Sequence, residues 1–100
     1  MARFRLNIRA KADLREAFRH VAENGGVEAA HRLRLRIHDR FTTLAEQPFI
    51  GRRRLELDLD LRSHVVPNTR YIIFYYPRDF RVEIVSVFHG SQRLTSLFED

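Results

Sequence analysis

The chain contains no cysteine. Disulfides, thiolate nucleophiles and cysteine-ligated zinc are excluded together, and a reducing, cytoplasmic setting is the natural expectation. Lysine is almost as scarce, with Lys11 alone against 17 arginines. No apolar run approaches the roughly 20 residues that a membrane-spanning helix needs. The opening Met1-Ala2-Arg3-Phe4-Arg5 leads into no apolar stretch of the kind a signal peptide carries, so neither membrane insertion nor secretion is expected.

What is present is one hundred residues with a net charge of +5 and a pI of about 10.7. That length suits a single domain over residues 1–100, able to bury a core without staples. Arginine forks phosphates and carboxylates better than lysine and stacks better on rings. The arginine surplus therefore reads in two ways: as a surface for nucleic acid or an acidic protein segment, or as the arginine bias of a GC-rich genome. The second reading leaves the net positive charge unexplained.

Periodicity sets the order of elements. Arg3 to Arg9 alternates, with Phe4, Leu6 and Ile8 on one side, and predicts a half-buried strand. From Ala10 the period lengthens. Leu14, Ala17, Phe18 and Val21 form a helical stripe that Asn24-Gly25-Gly26 stops. A second stripe runs Val27, Ala30, Leu33, Ile37, Phe41 and Leu44, reaching about Glu46 before Gln47-Pro48 ends it. Helices joined so tightly are expected to fold back antiparallel. Leu55 to Leu61 alternates leucine with acid and reads by pattern as an edge strand, although acidic residues are poor strand formers.

The last forty residues predict strands over Leu61 to Val66, Arg70 to Tyr76 and Phe80 to His89, joined by turns at Pro67-Asn68-Thr69 and Pro77-Arg78-Asp79. In the last strand, Val82, Ile84 and Phe88 are expected on one face and Val85 and Val87 on the other. Gly90-Ser91 breaks it, and Ser91 can cap a short terminal helix bearing Leu94, Leu97 and Phe98. The whole reads as an α+β domain: N-terminal strand, antiparallel two-helix hairpin, three-stranded antiparallel meander, short C-terminal helix. Its central strands are apolar on both faces, whereas a hairpin covers only one. The terminal helix or another chain must cover the second.

Several segments carry a family likeness: Tyr71-Ile72-Ile73-Phe74-Tyr75 after Leu61-Arg62-Ser63, Val87-Phe88-His89-Gly90 before a polar end, and Leu44-Ala45-Glu46-Gln47-Pro48 leading into Gly51-Arg52. In this order and spacing they resemble the ParE toxins of the RelE/ParE superfamily. The resemblance implies a bacterial type II toxin that poisons DNA gyrase by binding and is neutralised by a ParD-like antitoxin. It implies no cofactor, and no sequence-specific DNA binding without the antitoxin. It also implies that the acidic stretch is mostly loop. Two alternatives stay open: a RelE-like ribosome-dependent mRNA endoribonuclease, and a non-toxic relative that only binds an antitoxin.

Candidate residues follow. His89 is the one weak catalytic candidate; RNA cleavage needs a base, an acid and cations on the phosphate, and His89-Gly90 fits the ParE pattern better as structure. His20, His31, His38 and His64 lack metal-ligand spacing and read as solvated surface histidines, so no metal is expected. Asp13, Glu16, Glu23 and Glu28 read as helix-face decoration. Arg32, Arg36 and Arg40 form a ridge on the second helix. Arg52, Arg53 and Arg54 form a basic loop best explained by an anionic partner. With Val85, Val87, Leu94, Leu97 and Phe98 as an apolar surface, these arginines are the expected antitoxin- or target-binding set. Tyr71, Tyr75 and Tyr76 read as core aromatics.

Overall fold

The computed structural model describes residues 3–90. Its elements are β1 (Phe4–Leu6), α1 (Ile8–Gly25), α2 (Val27–Glu46), β2 (Arg52–Arg53), β3 (Arg62–Val65), β4 (Tyr71–Pro77) and β5 (Val82–His89). The strands form one sheet in the order β1-β5-β4-β3-β2. β2, β3, β4 and β5 pair antiparallel in turn, while β1 runs parallel to β5. The architecture is mixed α+β. The sheet is mixed and five-stranded, larger than a first strand plus a three-stranded meander.

The first strand is shorter than its alternation suggests. Asn7 accepts a hydrogen bond from the Ala10 amide at 2.9 Å, so it caps α1, a role asparagine fills well because its side chain replaces a missing helical partner. Ile8 therefore lies in the first helical turn and is 85% exposed, off the strand face where alternation placed it. Gly26 alone separates the helices, at φ 91° and ψ 165°, a region open essentially to glycine. The Arg34 guanidinium lies 4.5 Å from the centre of the Phe18 ring; the two residues are equidistant from Gly26, as on the legs of a hairpin.

The helix-side core joins Ala10, Ala17, Ile37, Phe41 and Leu44 to Tyr71, Ile73, Tyr75, Val82, Ile84 and Val87 of the sheet. Val27, placed in the apolar stripe by spacing, is largely exposed, because the stripe engages the sheet only after the first turn of α2. β5 begins at Val82, leaving Phe80 exposed in a turn closed by the Arg78 amide on the Arg81 carbonyl at 3.1 Å.

The face assignment within β5 also changes. Tyr75 pairs with Ile84 but Phe74 pairs with Ser86, so Val85 is an extra residue in a β-bulge. One extra residue inverts the alternation beyond it. Val87 joins the helix-side core, while Phe88 faces the other way with Phe74 and Leu61. Asp13 on α1 supports the bulge: its Oδ2 accepts the Ser86 hydroxyl at 2.7 Å and the Val87 amide at 3.0 Å. It is thus more than helix-face decoration.

The alternating acidic stretch forms no strand. It turns back through amides of Leu57 and Asp58 on the Arg54 carbonyl, at 2.9 and 3.0 Å, and the Arg54 amide on the Leu61 carbonyl at 2.8 Å. Its leucines are used differently from strand residues. Leu57 and Leu61 close over Phe74 and Phe88 on the second face, leaving Leu55 and Leu59 exposed. The chain's own loop thus covers part of the face assigned to a terminal helix or another chain. That helix, with Ser91, Leu94, Leu97 and Phe98, lies outside the described residues.

Candidate partner-binding surfaces

Three surfaces gather chemistry. The first is a cleft of about 240 Å³ lined by Asp13, Glu16, Ala17, His20, Tyr71, Val87 and His89. His89 stands edge-on to Tyr71, with ring centroids 5.1 Å apart. Burial, with a smaller contribution from the Glu16 charge, raises the Tyr71 phenol above its ordinary value, so Tyr71 stays protonated at neutral pH and can donate but not accept a proton. The described lining holds two carboxylates and neither arginine nor lysine.

The second is an apolar groove of about 340 Å³ between the hairpin and the sheet edge, lined by Phe4, Leu6, Leu14, Phe18, Leu35 and Phe41 among others. β1 is the edge strand here. The Arg3 carbonyl and the Asn7 amide both bond to β5. By alternation the backbone groups of Phe4 and Leu6 point away from β5, where no strand among the described residues pairs with them. Arg5, Arg9, Lys11, Arg15 and Arg34 line the adjoining hollows. The groove thus pairs an apolar floor with an open strand edge and a basic rim.

The third is basic. The Arg40 Nε donates to His64 Nε2 at 3.1 Å, joining α2 to β3. Arg62 faces Tyr75 and His64 faces Ile73 across β3–β4, partners that belong to the helix-side core. Arg53 pairs with Arg62 and Arg52 with Ser63. Strand alternation therefore divides the arginine triplet, with Arg53 beside Arg62 and His64, and Arg52 and Arg54 on the opposite face. Arg54 is not a solvated loop residue. It is 11% exposed, donates to Glu56 at 2.9 Å and Ser63 at 3.2 Å, and its guanidinium lies 5.5 Å from the Phe74 ring centre. His64 departs from the solvated expectation as well; burial, and next the Arg40 charge, lower its pKa.

Comparison with known proteins bears on what these surfaces serve. The family model described as the ParE toxin of the type II toxin-antitoxin system parDE matches residues 4–94. This chain belongs to the ParE toxin family. A solved structure described as the chromosomal ParDE TA system from P. aeruginosa matches with a TM-score of 0.77, covering 89% of this chain and 96% of that one at 17% identity. At that identity the likeness speaks for the fold. No curated protein sequence matches.

On this ParE-family fold, the expected binding set scatters. Arg32 and Arg36 are exposed on α2, while Arg40 is partly buried against His64. Arg52 and Arg53 are exposed in the short strand β2, not in a loop. Val85 is half-buried on the second face, and Val87, 3% exposed, offers no surface. Leu94, Leu97 and Phe98 lie outside the described residues. Sequence reasoning missed the groove. Its signals were Leu35, an apolar residue off the α2 stripe and 57% exposed, and Phe18, too large for a position that only a short edge strand covers. Among the described residues, no group of side chains could hold a metal ion and no helix is long and apolar enough to cross a membrane.

Proposed function

We propose that this chain is the toxin of a type II toxin-antitoxin pair that inhibits DNA gyrase by binding it, in the cytoplasm, and that a ParD-like antitoxin neutralises it. The observation that carries the reading is the groove beside β1. An extended segment can add its backbone to an open strand edge while alternate side chains fill apolar pockets. The basic rim favours a segment whose apolar anchors are flanked by acidic residues. Membership of the ParE family supplies the class of partner.

The endoribonuclease alternative draws no support from the His89 cleft. A cleavage transition state gathers negative charge that cations must neutralise, and the described lining presents Asp13 and Glu16 instead. The deciding experiment expresses the chain alone and assays gyrase supercoiling beside translation in extracts. Loss of supercoiling with intact translation supports the proposal. Prompt translation arrest with normal supercoiling overturns it in favour of mRNA cleavage, and neither effect in a folded chain marks a non-toxic antitoxin binder.

A further inference from the structure

The basic strip on α2, β3 and β2 is arranged in a way that folding alone does not explain. Arg53 and Arg62 stand directly opposite each other across an antiparallel pair, a placement that disfavours the fold because like charges face each other. Arg62 is held in place by the Phe49 and Gly51 carbonyls, at 3.1 and 2.8 Å. Those bonds fix its direction without cancelling its charge. Arg40 is fixed by His64, and among the described residues the one carboxylate it pairs with, the exposed Asp39, is 3.9 Å away. Arg36 lies one turn earlier on the same face of α2 and is exposed. Beside Arg62 sits Phe49, 68% exposed, with the Arg62 guanidinium 5.2 Å from its ring centre.

We propose that this strip binds single-stranded nucleic acid, with Arg36, Arg40, Arg53 and Arg62 on successive phosphates and Phe49 as a stacking platform for a base. The aromatic ring decides the class of ligand. Guanidinium groups alone suit any polyanion, but an exposed ring braced by an arginine offers a flat face to a base, and every base has one. An acidic peptide would gain nothing comparable from Phe49. A duplex keeps its bases stacked and hidden from the ring. None of these five residues lines the β1 groove or the His89 cleft, so the proposal goes beyond the function proposed above and does not depend on it.

The test measures binding of the full chain to a fluorescent oligothymidine across a salt series, beside a polyglutamate probe. The wild-type chain binds oligothymidine more tightly than polyglutamate. Arg36→Gln with Arg53→Gln flattens the logarithmic salt dependence by about 0.7 for each phosphate contact removed. Phe49→Ala weakens oligothymidine binding roughly tenfold while leaving the salt slope alone, because it removes stacking and no charge. All three positions are exposed, and melting curves confirm that each variant folds. Three results overturn the proposal: no oligothymidine binding at low salt, equal or tighter binding of polyglutamate, which would make the strip a surface for acidic protein, or binding that neither variant weakens.

Discussion

Tyr75 shows how single contacts position the surfaces around the sheet edge. Its ring is fully buried, its hydroxyl accepts the Gly51 amide at 2.9 Å and donates to the Pro48 carbonyl at 2.8 Å. This fixes the segment that leaves α2 and carries Phe49. A Cβ at residue 51 would come within 2.3 Å of the Tyr75 oxygen, so the glycine is needed for close approach. Tyr75→Phe strands two backbone groups without partners and is expected to cost about 1–3 kcal/mol in denaturant unfolding.

The arginine triplet makes a sharper contrast. Arg54→Gln gives up contacts to Glu56, Ser63 and Phe74 and lowers the melting temperature measurably, whereas Arg52→Gln, on an exposed strand position, leaves it unchanged. Equal effects would return all three arginines to a solvated role. His64 adds a pH dependence. Its native pKa lies below the ordinary 6.5, first through burial and then through the Arg40 charge. As pH falls through about 6.5 the unfolded chain takes up a proton that the native chain refuses, so stability falls until the pH drops below the native pKa and then levels off. His64→Gln should flatten that part of a plot of melting temperature against pH between neutrality and mild acid.

Among the elements, those legible in the sequence were the ones whose pattern continues for several periods. Both helices follow from apolar stripes sustained over several turns, and β4 from a short β-branched and aromatic run bounded by turn residues. What was not legible depended on contacts between distant residues. The end of β1 is the local exception: Asn7, next to Leu6, caps α1 through the Ala10 amide three residues on, a signal that the alternation of Phe4, Leu6 and Ile8 masks. Nothing in Val82 to His89 marks Val85 as an extra residue, since the bulge is set by pairing with β4 and by the Asp13 carboxylate reaching in from α1. The acidic stretch alternated as a strand would, but Leu57 and Leu61 gain more by closing over Phe74 and Phe88 than by extending the sheet. The bulge suggests a direct check. Asp13→Ala removes an acceptor from the buried Ser86 hydroxyl and the Val87 amide and is expected to destabilise the chain by about 1.5–3 kcal/mol, the range for hydrogen bonds to a charged group. Rescue by Ser86→Ala in the same background would show that the loss comes from the orphaned hydroxyl; no loss at all would mean that the bulge holds itself.

The whole molecule is a sheet with helices on one face, a self-made loop cover on part of the other, and two different edges. The β2 edge carries arginines; the β1 edge carries an apolar groove with a basic rim. Charge alone pointed toward the first edge and gave no hint of the second, because a groove is made by elements far apart in sequence: Phe4 and Leu6 from β1, Phe18 from α1, Leu35 and Phe41 from α2. Leu35 is the position that separates a docking role from a folding role. It is more than half exposed and lies outside the buried core, so Leu35→Glu should leave the melting temperature of the free chain nearly unchanged. A partner that closes over the groove would have to bury that carboxylate in an apolar setting, which is strongly unfavourable without a counter-charge. The expected result is a loss of affinity for a ParD-like antitoxin of at least about tenfold, concentrated in the dissociation rate as for a central anchor residue. Raising the salt concentration should slow association in wild type and variant alike, because the basic rim is untouched and its steering is screened beyond about 8–10 Å. If Leu35→Glu binds the antitoxin as tightly as wild type, the groove is not where the partner docks, and the open edge of β1 must be tested separately by N-methylation of the Leu6 amide, which faces away from β5.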